Sequence, residues 1–464
     1  MMYSQYLKAK QALMKRLVAT FSDEYDYVSC LGSDIKGKSY RVNALQKQVN
    51  ESGIERGFVI KMYKDKLYRE FSFDHLSEEN FAQLVDQIQQ SNMITYAYQP
   101  SDTQILADEP LVKDFERIAD DVAYSDLEIM EKLTAAKDKM MACDKIVNAI
   151  AGFSKYEVSK CFISKNRELT QHYAYYNLVA VAIARDDNNM QNAYRGLDGI
   201  KPSELFAKYD ELVEETASVA KMLLKAKSVV PGVYDVITSP SISGLIAHEA
   251  FGHGVEMDMF VKNRALAKDY VGKQVASKIV SMHDGAASAL NVASYFFDDD
   301  GVLASDTLII DKGILVSGIS DALSASVLKS KPTGNGRRES FSHKAYTRMT
   351  NTFFSPGQDK LADMIKSIDH GYILYDTNNG MEDPKNWGIQ CTASYGLEIK
   401  DGELTGEVIA PVIISGYVPE LLKSISMISD DFELSGAGMC GKGHKEWVRV
   451  SDGGPYMKAR VKLG

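Results

Sequence analysis

The stretch that most restricts how this chain can fold is residues 244–258, GLIAHEAFGHGVEMD. It places His248, Glu249 and His253 in an HExxxH spacing. On a regular α-helix, residues five apart are separated by roughly 140° around the axis. The two imidazoles therefore reach one ion only if the helix is distorted between them. Gly252, directly before His253, is where a π-bulge or local unwinding costs least. Leu245, Ile246, Ala247, Ala250 and Phe251 make the segment apolar enough to be buried. An unpaired Glu249 would be costly there. A metal ion on the two imidazoles, with its water facing the carboxylate, accounts for that glutamate. These are the parts of a metal-dependent hydrolase.

At 464 residues the chain can build two or three cores, and its pattern divides into three. Residues 1–100 open with an amphipathic helix over 3–20. Short strands follow at 25–31, 39–49, 57–63 and 67–73, then a helix to about residue 91. This reads as a small N-terminal mixed α/β sheet domain. Residues 101–229 form an α+β middle domain. It has a polar connector over 100–110, a helix at 126–141 and strand-like runs at 145–153, 157–164 and 168–184. A long helix introduced by Pro202 and Ser203 closes it. Residues 230–464 form a strand-rich C-terminal domain, a largely antiparallel sheet or barrel, carrying the HExxxH helix after a strand at 233–238. Further strands are expected at 293–297, 308–311, 314–320, 371–375, 389–399, 403–414 and 446–450. Tight turns are expected at 298–301, 311–313 and 400–402, and a short helix over 418–428. The fold class is α+β.

The net charge of −10 offers no basic field to nucleic acid or to an anionic membrane. The N-terminal residues spread charge throughout and contain no apolar h-region, so no signal peptide is expected. No run approaches the ~18 apolar residues of a transmembrane helix. Five irregularly spaced cysteines suit free thiols in a reducing cytoplasm better than a disulfide framework.

A catalytic zinc site has three protein ligands and one open position. Glu256 and Asp258, close after His253, can ligate or support, and Cys440 stands in a glycine-dense loop that lets the backbone approach a site. These residues leave the third ligand open. Four dispersed segments carry a resemblance: GLIAHEAFGHGVEMD, TGNGRRES at 333–340, YTRMTNTFFSPG at 346–357, and MCGKG at 439–443 leading to GGPYM at 453–457. In order and approximate spacing they resemble the TldD/PmbA family, specifically its HExxxH-containing TldD branch. The resemblance is strongest over 232–460 and looser before it.

That resemblance implies a cytoplasmic metallopeptidase acting on short or unfolded peptides, working as a homodimer or as a heterodimer with a sister subunit. It places the family's metal ligands on His248, His253 and Cys440, and its catalytic glutamate on Glu249. Cysteine and histidine ligation suits Zn²⁺ first and Fe²⁺ second. Arg337, Arg338, Arg348 and Asn351 could orient the substrate or stabilise an oxyanion, but each reads first as a structural partner and none is assigned. His444, after MCGKG, departs from many relatives. Two competing readings remain. One is a dipeptidyl-peptidase III type of site, which lacks its downstream acidic motif here. The other is a non-catalytic peptide-binding sister-type subunit or modulator protein, which the intact HExxxH disfavours.

Overall fold

The computed structural model describes residues 2–92, 106, 108–118, 122–436, 438–443 and 446–464, and at 52–54 and 92 the backbone alone. Helix α1 (Gln5–Ser22) is started by Ser4, whose hydroxyl accepts the Leu7 N–H. Strands β1 (Tyr27–Val42), β2 (Lys47–Lys64) and β3 (Leu67–Phe73) follow, then α2 (Phe81–Asn92). The chain continues through β4 (Leu111–Arg117), α3 (Asp126–Met141), β5 (Ile146–Ser164), β6 (Arg167–Asp186), β7 (Asn189–Gly199) and α4 (Pro202–Leu223). The expected start of α3 is observed because Ser125 and Glu128 form a reciprocal capping box, worth about 1 kcal/mol. Asp65 and Lys66 take the left-handed conformation that a tight hairpin between β2 and β3 requires.

The expected boundary near residue 100 does not separate two sheets. Strands from both sides of it form one sheet in the order β3-β2-β1-β5-β6-β4, with β7 on β6. The connector expected at 100–110 falls mostly outside the described residues. The short strands expected at 25–31, 145–153 and 157–164 are parts of longer ones, whereas the one expected at 39–49 is broken by a turn over 43–46 that joins β1 to β2. Glycine, serine and aspartate at 32–34 look like a turn in sequence. Each is paired with β2 on one side and β5 on the other, and that ladder holds them extended.

The period-two alternation of β5 explains how this sheet is sandwiched. Ala149, Ala151 and Phe153 face α3 and α4, and Cys161 and Ile163 face α1 and α2. Val158 and Phe162, on the opposite face, pack against Tyr295 and Phe297 of the C-terminal unit.

That unit begins with β8 (Gly232–Thr238) and contains a closed barrel. Strand β8 pairs in parallel with His370–Asp383 and antiparallel with Met457–Leu463. The latter pairs with Val412–Tyr417, which pairs with Gly388–Lys400, which returns to His370–Asp383. Closure leaves these five strands without a free edge. A second sheet of short strands includes Met282–Asp284, Asn351–Phe354 and Ser451–Gly454. The turns at 311–313 and 400–402 are present, with Lys312, Gly313, Asp401 and Gly402 all at positive φ. Two expected strands are not. Residues 293–297 are loop, with Phe297 in an isolated bridge, and 314–320 shortens to Ile314–Leu315. Residues 293–297 and 318–320 are buried by packing, not by a ladder, so apolar composition alone misreads them. Among the described residues, no helix is long and apolar enough to cross a membrane.

Candidate metal centre

Strand β8 delivers the chain to Ser239, and Pro240 at the first helical position starts α5 (Pro240–Leu245). The helix then widens into a π-helix over Ile246–Gly252 and tightens into a 3₁₀ turn over His253–Val255. The expected distortion is thus present. The His253 backbone N–H donates to the His248 carbonyl. This five-residue hydrogen bond stacks the two histidines on one face. Their rings lie 5.2 Å apart in an edge-to-face arrangement.

Two glycines allow the segment to sit so deep. A Cβ at Gly244 would come within 2.4 Å of the Gly453 nitrogen, and one at Gly252 within 2.1 Å of the Met349 sulfur.

Cys440 reaches this face from the strand Met439–Lys442, which forms a hairpin with Glu446–Arg449. Its Sγ lies 3.7 Å from His253 Nε2. Donor atoms of His248, His253 and Cys440 all lie within 4.8 Å of one another. Tetrahedral zinc with ordinary Zn–S and Zn–N bonds sets S···N at about 3.6 Å. The trio therefore fits a borderline-soft divalent ion. Among the described residues His248 Nδ1, although buried, has no hydrogen-bond partner. Glu249 stands beside the trio with Oε2 3.8 Å from His253 Nε2, its side chain about one-fifth exposed.

The electrostatics agree. Burial alone would push the Cys440 thiol up, but His253 and His248 hold it well below the ordinary thiol value. Burial would likewise lower His248, yet Cys440 and Glu249 raise it to about 9. A thiolate between two imidazoles is the charge state a metal takes over.

Glu256 does not join the trio. Its Oε2 accepts from His253 Nδ1 at 3.2 Å and from the Lys442 ammonium at 2.9 Å. Burial would raise this carboxyl, but Lys442 and His253 hold it at about 2. Lys442 also donates to Asp258 at 2.7 Å and to the Thr347 carbonyl at 2.9 Å. The cysteine strand and the histidine turn are thereby tied together by buried charge.

The arginines considered for substrate contacts are spent on the protein itself. Arg337 donates to the Met349 and Arg449 carbonyls at 2.7 and 2.6 Å. Arg338 forms a two-pronged pair with Glu70 at 2.7 and 3.0 Å. Arg348, 1% exposed, clamps the carbonyls of Cys440 and Glu446, holding the base of the cysteine hairpin. Asn351 donates to the Gly285 and Ala289 carbonyls. His444 lies outside the described residues.

Sequence reasoning missed Lys442, although it stands inside the MCGKG segment. It also missed Asp452, whose carboxyl is pushed up to about 6 by burial, with Glu249 and Cys440 adding to the rise and His248 opposing it. It missed Glu382, whose carboxyl burial pushes well above the ordinary value, with His253 and the Gly254 N–H opposing the rise.

Comparisons with known proteins point the same way. Residues 231–462 match the family described as PmbA/TldA metallopeptidase C-terminal domain. A metalloprotease of Methanocaldococcus jannaschii is 29% identical over 90% of this chain and 93% of its own length. A zinc metalloprotease TldD homolog of Saccharolobus solfataricus is 25% identical over 89% and 90%. The crystal structure of TldE from Thermococcus kodakarensis shares the fold at a TM-score of 0.76 and 18% identity, covering 97% of this chain and 99% of that one.

Proposed function

Since this chain belongs to the PmbA/TldD metallopeptidase family, we propose that it is the catalytic kind of member, a zinc-type peptidase for short or unfolded peptides. The observation that carries the proposal is the convergence of His248, His253 and Cys440 donors beside Glu249. These three residues would hold one divalent ion, zinc in preference to iron. When bound, the ion supplies Lewis acidity to the scissile carbonyl and lowers the pKa of water.

The remaining work falls to side chains. Glu249 accepts the proton of the attacking water and returns it to the leaving amine. Glu256 receives the His253 Nδ1–H, which fixes the tautomer and leaves Nε2 facing Cys440. Lys442 balances the Glu256 charge, so the supporting carboxylate stays ionised inside the protein.

Peptides bind by main-chain pairing with a strand edge, a mode that reads backbone more than side chains and so favours unfolded substrates. The working assembly is a homodimer or a heterodimer with a sister subunit, as the family resemblance implies. All five cysteines are unpaired, in keeping with a reducing, cytoplasmic setting.

The deciding experiment is elemental mass spectrometry of the purified protein and of Cys440→Ser, paired with peptide cleavage by Glu249→Gln. The proposal expects about one zinc or iron per chain, largely lost in Cys440→Ser. Glu249→Gln should keep the metal and lose hydrolysis. A wild type that stays empty after reconstitution with either metal would refute the peptidase and leave a non-catalytic binding subunit.

A further inference from the structure

The hairpin of His370–Asp383 and Gly388–Lys400 does more than close the barrel. It packs against the π-helix, and the strand His370–Asp383 also contacts the 3₁₀ turn that follows. A β-bulge between Thr377 and Asn379 precedes this contact. Next comes Gly380. A Cβ built there would lie 2.5 Å from Glu249 Cγ, 3.0 Å from Glu249 Cβ and 3.0 Å from Leu245 Cδ1. Gly380 is not among the residues with positive φ, so its backbone would accept alanine. The glycine is required by space, and the space is filled by the side chain of Glu249.

We propose that Gly380 is a positioning residue for Glu249. By presenting bare backbone it admits the rotamer that sets Oε2 3.8 Å from His253 Nε2. Any side chain at 380 forces Glu249 to retreat by roughly 1 Å to reach ordinary carbon–carbon contact. A displacement of that size costs a catalytic group on the order of 10²-fold in rate. The three atoms nearest to a Cβ at 380 belong to Glu249 and Leu245 and to no member of the donor trio. The inference rests on the reading of Glu249 as the proton acceptor.

The test compares Gly380→Ala with Gly388→Ala, a glycine of the same hairpin whose added Cβ would meet nothing nearer than 4.0 Å. Melting temperature, zinc content, kcat and KM are measured for both, and metal-free Gly380→Ala is crystallised. The expected result is unchanged melting and zinc content, KM within about twofold, and kcat lower by on the order of 10²-fold for Gly380→Ala alone. The crystals should show Glu249 turned away from His253. A Gly380→Ala enzyme with wild-type kcat, or crystals with Glu249 in place, would overturn the proposal. So would a variant that loses its fold or its zinc together with kcat, since a mere packing spacer would do that. A wild type without peptidase activity would count against the peptidase reading only; the Glu249 rotamer would still decide this one.

Discussion

Glu256 offers the sharpest test of how the donor trio is held. One of its oxygens, Oε2, serves both His253 Nδ1 and Lys442 Nζ, while Oε1 has no partner among the described residues. Glu256→Gln can therefore place its amide oxygen where Oε2 stands and its NH₂ where Oε1 stands, losing charge but keeping geometry. Glu256→Leu loses both hydrogen bonds. Lys442 is orphaned in neither variant, because Asp258 and the Thr347 carbonyl still accept from it. The cost thus falls on the orientation of His253. Removing the carboxylate partner of a metal-binding histidine typically costs about 10–100-fold in affinity. That is about 1.4–2.8 kcal/mol, in line with the ~1.5–3 kcal/mol of one hydrogen bond to a charged group. Glu256→Leu should weaken zinc by this amount and Glu256→Gln by less than about tenfold. The assay is competition for zinc against a chromophoric chelator at neutral pH, with Glu249→Gln as a control whose affinity should not change. A Leu variant that binds zinc as tightly as the wild type would show that His253 is oriented by other contacts and would refute the reasoning.

Three further outcomes follow from the same geometry. Arg348→Lys replaces a fork spanning two carbonyls with a single ammonium, so the cysteine hairpin should loosen; a loss of ~1.5–3 kcal/mol in chemical denaturation, together with lower zinc occupancy, is expected. Gly252→Ala drives a methyl group into the Met349 sulfur, costing about 1–3 kcal/mol and shifting His253. Zinc occupancy should fall, and Met349→Ala in the same chain should restore it. Glu70 carries the pH prediction. Burial pushes its carboxyl up, but Arg338 and Lys61 hold it far below the ordinary carboxylate range. A depressed folded pKa gives stability that is full above about pH 4.3 and lost as the pH falls toward the folded value. Glu70→Gln should thus destabilise the protein by roughly 3 kcal/mol at neutral pH, with the gap to wild type narrowing by about pH 3.

The distorted helix was legible in the sequence because it is a matter of counting: the histidines stand five positions apart, and a glycine sits where the turn must change. Cys440 was legible only in part. It lies 187 residues from His253, and no local spacing encodes the meeting of a strand hairpin with a helix. Its glycine-rich surroundings and the family resemblance carried the assignment. The arginines read first as structural partners, but their partners could not be named from the sequence. For Arg337 and Arg348 those partners are backbone carbonyls, which leave no trace in side-chain composition, and for Arg338 the partner is Glu70, 268 residues away. The joined N-terminal sheet was hidden for a related reason. Residues 32–34 have turn chemistry, and only pairing with strands on both sides overrides it. Gly380 follows two asparagines, so in sequence it reads as loop punctuation. Its use is visible only once Glu249 is seen to fill the space beside it.

The π turn between the two histidines also imposes something like a reading frame on the chain. Deleting a single residue there, such as Ala250, would leave HExxH, a spacing that an undistorted α-helix accommodates without strain. The trio would nonetheless be lost. With one residue fewer, every downstream group is rotated by about 100° and drawn back by about 1.5 Å relative to the first histidine. Glu256 would leave Lys442, and the turn that meets the cysteine hairpin would face elsewhere. A substitution at Ala250 or Phe251 alters one letter of this segment, whereas an insertion or deletion alters its phase. Sequence drift in such a chain can accumulate by exchange of residues, while the count between His248 and His253 stays fixed.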